Sequence, residues 1–146
     1  MTEIEFHVNQ PDKLQYSCRL LRKAHRSGIS AVVAAELEVL LQLDQLLWQF
    51  SATDFLPHCF IAAPEATLKV TSIVLVEHPD ACPLAGVLIN LGRPVPAGFE
   101  RFPRLIEIAS TDEEDRLAAR ERWKHYQKRG YSLKRHDQPS SGEGAP

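Results

Sequence analysis

The sequence lacks the features that mark disulfide-rich and membrane-spanning proteins. Its 146 residues include three cysteines, and no two of them form a C-x-x-C pair, so we expect neither a disulfide framework nor a structural zinc site. The apolar runs at 73–76 and 86–91 have the length of core strands, far below the ~18 residues of a membrane span. The N-terminus carries acids where a signal peptide has bases. These absences predict a cytoplasmic protein.

The sequence also lacks the motifs of nucleotide-binding and catalytic sites. Asn9-Gln-Pro-Asp12 follows the first predicted strand where G-x-G-x-x-G would be needed, and G-x-x-x-x-G-K-[ST] occurs nowhere. His58 and Cys59 are the adjacent His/Cys pair, and no second pair completes a metal site. We expect a hydrogen-bonded His58 and a core-packed Cys59. With no carboxylate pair near a nucleophile, we predict no catalytic site, no metal and no cofactor.

Composition and periodicity predict an α/β fold. At 44% hydrophobic and 25% charged residues, the chain is typical of one globular domain. Because strands and helices alternate in the first half, we expect three α/β/α layers around an open, mostly parallel sheet, in which later short strands can be antiparallel. The predicted strands are 4–8, 29–35, 68–70, 73–77, 87–91 and 105–108, with 55–62 as an edge strand or irregular segment.

Helix-capping residues delimit the predicted helices and the domain. A first helix follows Asn9 or Asp12 and ends near Gly28, a second spans 36–50, and the last spans 112–129. Thr111 and Glu114 form a candidate capping box at the start of the last helix. We predict a single domain over residues 1–133 and a disordered tail over 134–146.

Charge is concentrated in one segment. Residues 1–115 hold 9 basic and 16 acidic residues, whereas 116–135 hold 8 basic residues against Glu121 alone. In the last helix a row of cations recurs every four residues, with Trp123 and Tyr126 beside it: Arg116, Arg120, Lys124 and Lys128. This pattern is typical of a site for an acidic peptide, whose carboxylates meet the cations while a ring packs an apolar side chain. The alternative is that the row is a solvated face and that both aromatics belong to the core.

Two stretches resemble a known family. Residues 43–60, LDQLLWQFSATDFLPHCF, are similar to the LD-x-x-LW…F-x-PH signature of the chi subunit of bacterial DNA polymerase III. Residues 117–133, LAARERWKHYQKRGYSL, resemble the terminal helix of that family. The order of the predicted elements extends the resemblance over roughly residues 1–133.

The resemblance implies a non-catalytic accessory subunit within a complex that has DNA-directed DNA polymerase activity. Chi subunits associate with the clamp loader through the psi subunit and bind the acidic, hydrophobic-ended C-terminal tail of single-stranded DNA-binding protein, so nucleic acid is met only indirectly. By similarity, Arg120 would pair with the terminal carboxylate of the tail and aromatic walls would hold its last ring. The full set of tail-binding residues carried over is Trp48, Phe55, Arg116, Arg120, Trp123 and Lys124. The family usually has tyrosine where Trp123 stands.

The predicted pocket, the psi-binding surface and the choice between functions each depend on the fold. A six-residue pocket requires Trp48 and Phe55 to converge with Arg120, about 70 positions away in the sequence. Phe99 and Phe102, in a proline-rich loop, are candidates for the psi-binding surface. The alternative functions are a direct nucleic-acid-binding protein, which the acidic body disfavours, and a small α/β enzyme with a degenerate nucleotide site.

Overall fold

The computed structural model describes residues 1–49, 56–63, 67, 71–82 and 86–137. Within these ranges, seven strands form one sheet in the order β3-β4-β2-β5-β6-β1-β7. Every pair of neighbouring strands is parallel, so the predicted α/β class is confirmed and the described strands include no antiparallel pair. The strands are β1 (Glu3–Gln10), β2 (Ala31–Ala34), β3 (His58–Phe60), β4 (Ile73–Val76), β5 (Val87–Asn90), β6 (Arg104–Ser110) and β7 (Leu133–Asp137).

Among the described residues, three α-helices cover the sheet: α1 (Lys13–Arg26), α2 (Leu37–Gln49) and α3 (Glu113–Lys128). The 3-10 helices Pro79–Ala81 and Phe99–Arg101 lie in the connections. Within the described ranges no helix is long and apolar enough to cross a membrane. The predicted strand at 68–70 lies outside the described residues.

The two faces of the sheet carry separate cores. Side chains alternate along each strand, so Val33 packs with α1 and α2 on one face, while Val32 packs with α3 on the other. The helices α1 and α2 bury Leu21 and Leu43 in the first core, whereas α3 buries Tyr126 in the second. The helices α2 and α3 therefore lie on opposite sides of the sheet.

The helix α3 begins one residue later than the predicted capping box. Asp112 is the N-cap, and its carboxylate accepts a hydrogen bond from the backbone N–H of Asp115 at 3.2 Å. The Asp115 carboxylate reaches back to the N–H of Ser110 at 2.7 Å. The box thus uses Asp112 and Asp115 instead of Thr111 and Glu114, because Asp115 is the acid that faces inward, only 2% exposed.

The C-terminal strand β7 extends the folded domain past its predicted end. It pairs in parallel with β1, with Ile4 opposite Leu133 and Val8 opposite Asp137. The prediction that disorder begins at residue 134 is therefore wrong for 134–137, whereas 138–146 lie outside the described residues. The strand has the polar, charged composition common in edge strands, and this composition concealed it in the sequence.

Candidate functional site

A groove of about 350 Å³ lies between α3 and the β1–β7 edge of the sheet. Strands β1 and β6 supply its apolar floor, α3 forms one wall, and β7 closes the other side. The residues that line it are Phe6, Val8, Asn9, Ala109, Arg116, Ala119, Arg120, Trp123 and Arg135. The groove therefore joins an apolar surface to three guanidinium groups.

The apolar part of the groove is fixed in place by packing. The half-buried Trp123 ring meets the Phe6 ring edge to face, with centroids 5.1 Å apart, a favourable aromatic geometry. Phe6 itself is 1% exposed. The small side chains of Ala109 and Ala119 leave room above this floor. A bound apolar side chain would thus meet a preformed aromatic surface.

The cationic rim comes from two elements. Arg116 and Arg120 lie one turn apart on α3, are exposed, and make no ion pair within the part of the chain that the structure describes. Arg135 faces them from β7 and pairs with Asp137 at 2.9 Å. Lys124 is exposed one turn beyond Arg120, with its ammonium 3.6 Å from the Glu121 carboxylate. Because exposed pairs of this kind are weak, these cations remain available to an anionic ligand.

Trp48 does not belong to this groove, so the predicted six-residue pocket is wrong as a single site. Trp48 lies on α2, and its ring meets the His58 ring of β3 at a centroid distance of 4.9 Å. Arg120 lies on α3, on the opposite face of the sheet. Four strands separate β3 from β1, which borders the groove. The two side chains therefore cannot contact one ligand group together, and Phe55 lies outside the described residues.

Other aromatic candidates are core residues. Tyr126, predicted beside the cationic row, is 0% exposed. Phe99 and Phe102 are 3% and 1% exposed, so the suggestion that they form a docking surface is also wrong. Phe99 packs against Tyr126 and Tyr131 at centroid distances of 5.2 and 5.4 Å. The loop that carries these phenylalanines folds inward because its rings complete the core beneath α3.

Sequence reasoning missed a buried ion pair on α3. Arg122 donates from Nε to the Glu107 carboxylate at 2.9 Å, and Asn90 and Tyr126 donate to the same carboxylate. Glu107 is 0% exposed, and burial raises its pKa, while the charge of Arg122 and the hydrogen bonds oppose that rise. The signal was Glu107 itself, an acid in the middle of an apolar strand. Arg122 therefore serves the core and adds nothing to the basic surface.

Open α/β sheets usually bind ligands in the crevice at the carboxyl ends of their strands. In this crevice the side chain of Lys13 is already bonded to other parts of the fold. Lys13 Nζ donates to the Leu91 carbonyl at 2.9 Å and lies 3.2 Å from the Asp115 carboxylate. Although burial raises the pKa of Asp115, its bonds to Ser110 and the charge of Lys13 hold that pKa below the usual range. This arrangement binds elements of the fold together and does not resemble a phosphate site.

The expected roles of His58 and Cys59 are confirmed. His58 hydrogen bonds to the Leu56 carbonyl at 2.6 Å and to the Asp44 carboxylate at 3.0 Å. Cys59, on the other side of the strand, packs against the core beneath α3.

Comparisons with known proteins match nearly the whole chain to one family. The family model described as "DNA polymerase III chi subunit, HolC" matches residues 1–134. A relative named DNA polymerase III subunit chi from Pseudomonas aeruginosa is 32% identical over 144 residues, covering 95% of this chain and 99% of the relative. Another of that name, from Haemophilus influenzae, is 28% identical over 127 residues, covering 82% and 83%. The chain therefore belongs to the family of chi subunits of DNA polymerase III, a component of the DNA replication machinery.

Proposed function

We propose that this chain is a non-catalytic adaptor of the polymerase holoenzyme and that its α3 groove binds the C-terminal tail of single-stranded DNA-binding protein. The observation that carries the proposal is an aromatic floor bordered by Arg116 and Arg120, which have no ion pair within the described residues. An acidic tail that ends in an apolar residue offers both a ring for the floor and carboxylates for the rim.

Arg120 is the residue best suited to the terminal α-carboxylate. A guanidinium presents paired N–H donors that match a carboxylate better than an ammonium does. Arg120 follows Ala119 and precedes Trp123 by three residues on α3, and all three line the groove. Arg120 can therefore hold the carboxylate while the terminal side chain packs on Trp123. Arg116 and Lys124 flank it on the helix and attract the acidic part of the tail.

The test is fluorescence anisotropy with a labelled tail peptide. Arg120→Ala should weaken binding about 30-fold, on the order of 2 kcal/mol, as at an interface hot spot. Arg93→Ala is the matched control, since it removes the same charge from a guanidinium whose neighbours are Asp112 and Glu114, outside the groove. A peptide with an amidated C-terminus should lose a similar factor against the native chain and lose little more against Arg120→Ala. Additive losses would contradict the pairing.

The same assay separates this proposal from direct binding of nucleic acid. If the row of cations served phosphates, alanine at Arg116, Arg120, Lys124 or Lys128 would cause similar losses, and an oligonucleotide would displace the peptide. The adaptor proposal expects Arg120 to dominate, and it expects Lys128 to change mainly the association rate and its salt dependence. Equal losses along the row, or complete displacement by single-stranded DNA, would refute it.

We further propose that the psi subunit covers the exposed face of α2. Leu37, Leu41 and Trp48 lie along one side of this helix and are 48%, 51% and 56% exposed. Three large apolar side chains in a row favour a protein partner over solvent. The expected result is that Leu41→Lys abolishes co-purification with psi and leaves the affinity for the tail peptide unchanged. Loss of tail binding in a folded Leu41→Lys variant would contradict two separate surfaces.

A further inference from the structure

A second cluster of functional groups lies across the sheet from the tail-binding groove. Glu5 and His7 project from β1 toward the face that α1 covers, and His136 projects from the adjacent position on β7, directly opposite His7 in the register. The side chains of Glu5 and His7 are 11% and 9% exposed, and that of His136 is 58% exposed. None of these residues has a role in the proposed adaptor function.

The three side chains converge on one point. The Glu5 Oε1 atom lies 3.2 Å from His7 Nε2 and 3.3 Å from His136 Nε2. One ligand atom from each of the three residues lies within 4.8 Å of the other two. In a tetrahedral zinc site with bonds of about 2.0–2.1 Å, neighbouring ligand atoms are roughly 3.3–3.4 Å apart. The distances from Glu5 to the two histidines match that spacing.

Neighbouring groups already hold two of the ligands in the required orientation. The Tyr16 hydroxyl contacts His7 Nδ1, an oxygen partner that can fix the ring so that Nε2 faces the cluster. Arg104 donates to Glu5 Oε2 at 2.7 Å, which leaves Oε1 directed at the two imidazoles. Residues that bind a metal directly are usually oriented by hydrogen bonds of this kind.

We propose that Glu5, His7 and His136 form a binding site for one zinc ion or a similar divalent transition metal. Two imidazoles and one carboxylate are the ligand set of open zinc sites, which keep a fourth position for water or another ligand. That position faces a groove of about 480 Å³ that is also lined by Arg19, Lys23 and Arg104. Because these cations oppose a bare metal ion, the fourth ligand is expected to be hydroxide or another anion.

Sequence reasoning missed this site because its ligands are far apart in the chain. Glu5 and His7 lie at the N-terminus, and His136 falls in the segment predicted to be disordered. The expectation of no metal rested on adjacent cysteine and histidine pairs. Parallel pairing of β7 with β1 brings His136 beside His7, so a bound metal would also tie the edge strand to its neighbour.

Zinc binding to the full chain tests the proposal. Chelator-treated protein, titrated with Zn²⁺ against a chromophoric chelator, should bind one ion with Kd roughly 1 µM, weaker than a complete four-ligand site. His136→Ala should weaken binding at least ~100-fold, and since His136 is exposed this variant should fold. His78→Ala, which removes an exposed loop histidine, is the matched control and should bind as the parent does.

Two further measurements identify the ligands. Cobalt bound in place of zinc should show visible d–d bands without a thiolate charge-transfer band, because no cysteine takes part. At about 100 times Kd, zinc should raise Tm by roughly 5–10 °C in the parent chain and not in His136→Ala. No binding at ~100 µM zinc, a thiolate band, or undiminished binding in His136→Ala would each overturn the site. The three side chains would then form only a network of N–H···O hydrogen bonds.

Discussion

Replacement of Arg122 by methionine tests whether this buried cation of α3 stabilises the fold, in contrast to the exposed cations that we propose bind a partner. Arg122 and Arg120 are two residues apart, yet Arg122 is 2% exposed and Arg120 is exposed. Methionine keeps most of the volume of the arginine stem and removes its charge and its donors. The variant should leave Glu107 fully buried with Asn90 and Tyr126 as its remaining donors.

The expected loss follows from these contacts. Breaking a buried ion pair by removing one partner typically costs about 3–5 kcal/mol, and the Arg93 carbonyl also loses a donor that lies 2.6 Å away. The two remaining donors to Glu107 reduce the loss toward the lower end, so we expect a fall of about 3–4 kcal/mol in the free energy of unfolding. That is a large part of the roughly 5–15 kcal/mol typical of a domain.

Urea unfolding followed by circular dichroism measures this loss. The double variant Arg122→Met/Glu107→Gln should recover at least half of it, because it no longer buries an unpaired charge. Arg122 Nη2 has no hydrogen-bond partner within the described residues, which further limits what the native pair contributes. Arg120→Ala should change stability by less than ~0.5 kcal/mol. A loss below ~1 kcal/mol for Arg122→Met, or no recovery in the double variant, would refute this account of the pair.

Three other predictions concern groups whose surroundings are well defined. The pKa of Asp115 is held below its usual range, so its stabilisation is present at neutral pH and is lost as pH falls below about 4. Asp115→Asn should therefore unfold with a shallower acid dependence in urea titrations at pH 7 and pH 3. Gly98→Ala should cost at least ~2 kcal/mol by thermal unfolding, since φ is +81° and a Cβ would lie 2.7 Å from Asp80 Cα. Gly28→Ala, with φ of +73° and nothing within 4 Å, should cost only ~1 kcal/mol. Burial raises the pKa of the Cys18 thiol to about 11, so at pH 8 its alkylation, followed by mass spectrometry, should be over ~100-fold slower in the native chain than in urea.

The elements that could be predicted from sequence are those whose pattern is local. The apolar runs of β2 and β4 predicted buried parallel strands because strands covered on both faces need apolar residues on both sides. Gly28 marked the end of α1, and its backbone N–H bonds to the His25 carbonyl at 3.0 Å. The strand β7 was not predicted because its residues are polar and because its formation depends on pairing with β1, 125 or more positions away. No local pattern carries that information.

The candidate site also has one part that could be predicted from sequence and one part that could not. The row of cations could be predicted because one helix supplies it, and helical spacing fixes which side chains lie together. The apolar floor could not be predicted, since Phe6, Val8 and Ala109 come from two strands, and neither strand's sequence indicates that they are neighbours in the sheet. Trp48 was misplaced for a different reason. A family signature marks residues that the family retains, but it does not say which surface of the fold each of them belongs to.

The separation of Trp48 from Arg120 supports an adaptor more directly than the single pocket would have done. An adaptor has to hold two partners at once, so its surfaces must not overlap. The α2 face and the α3 groove lie on opposite sides of the sheet, and the β3 and β1 strands near them are five strand spacings apart, about 24 Å. The sheet between them is buried and close-packed, and the two surfaces share no side chain. Binding at one surface should therefore leave affinity at the other unchanged, as the proposed adaptor between psi and single-stranded DNA-binding protein requires.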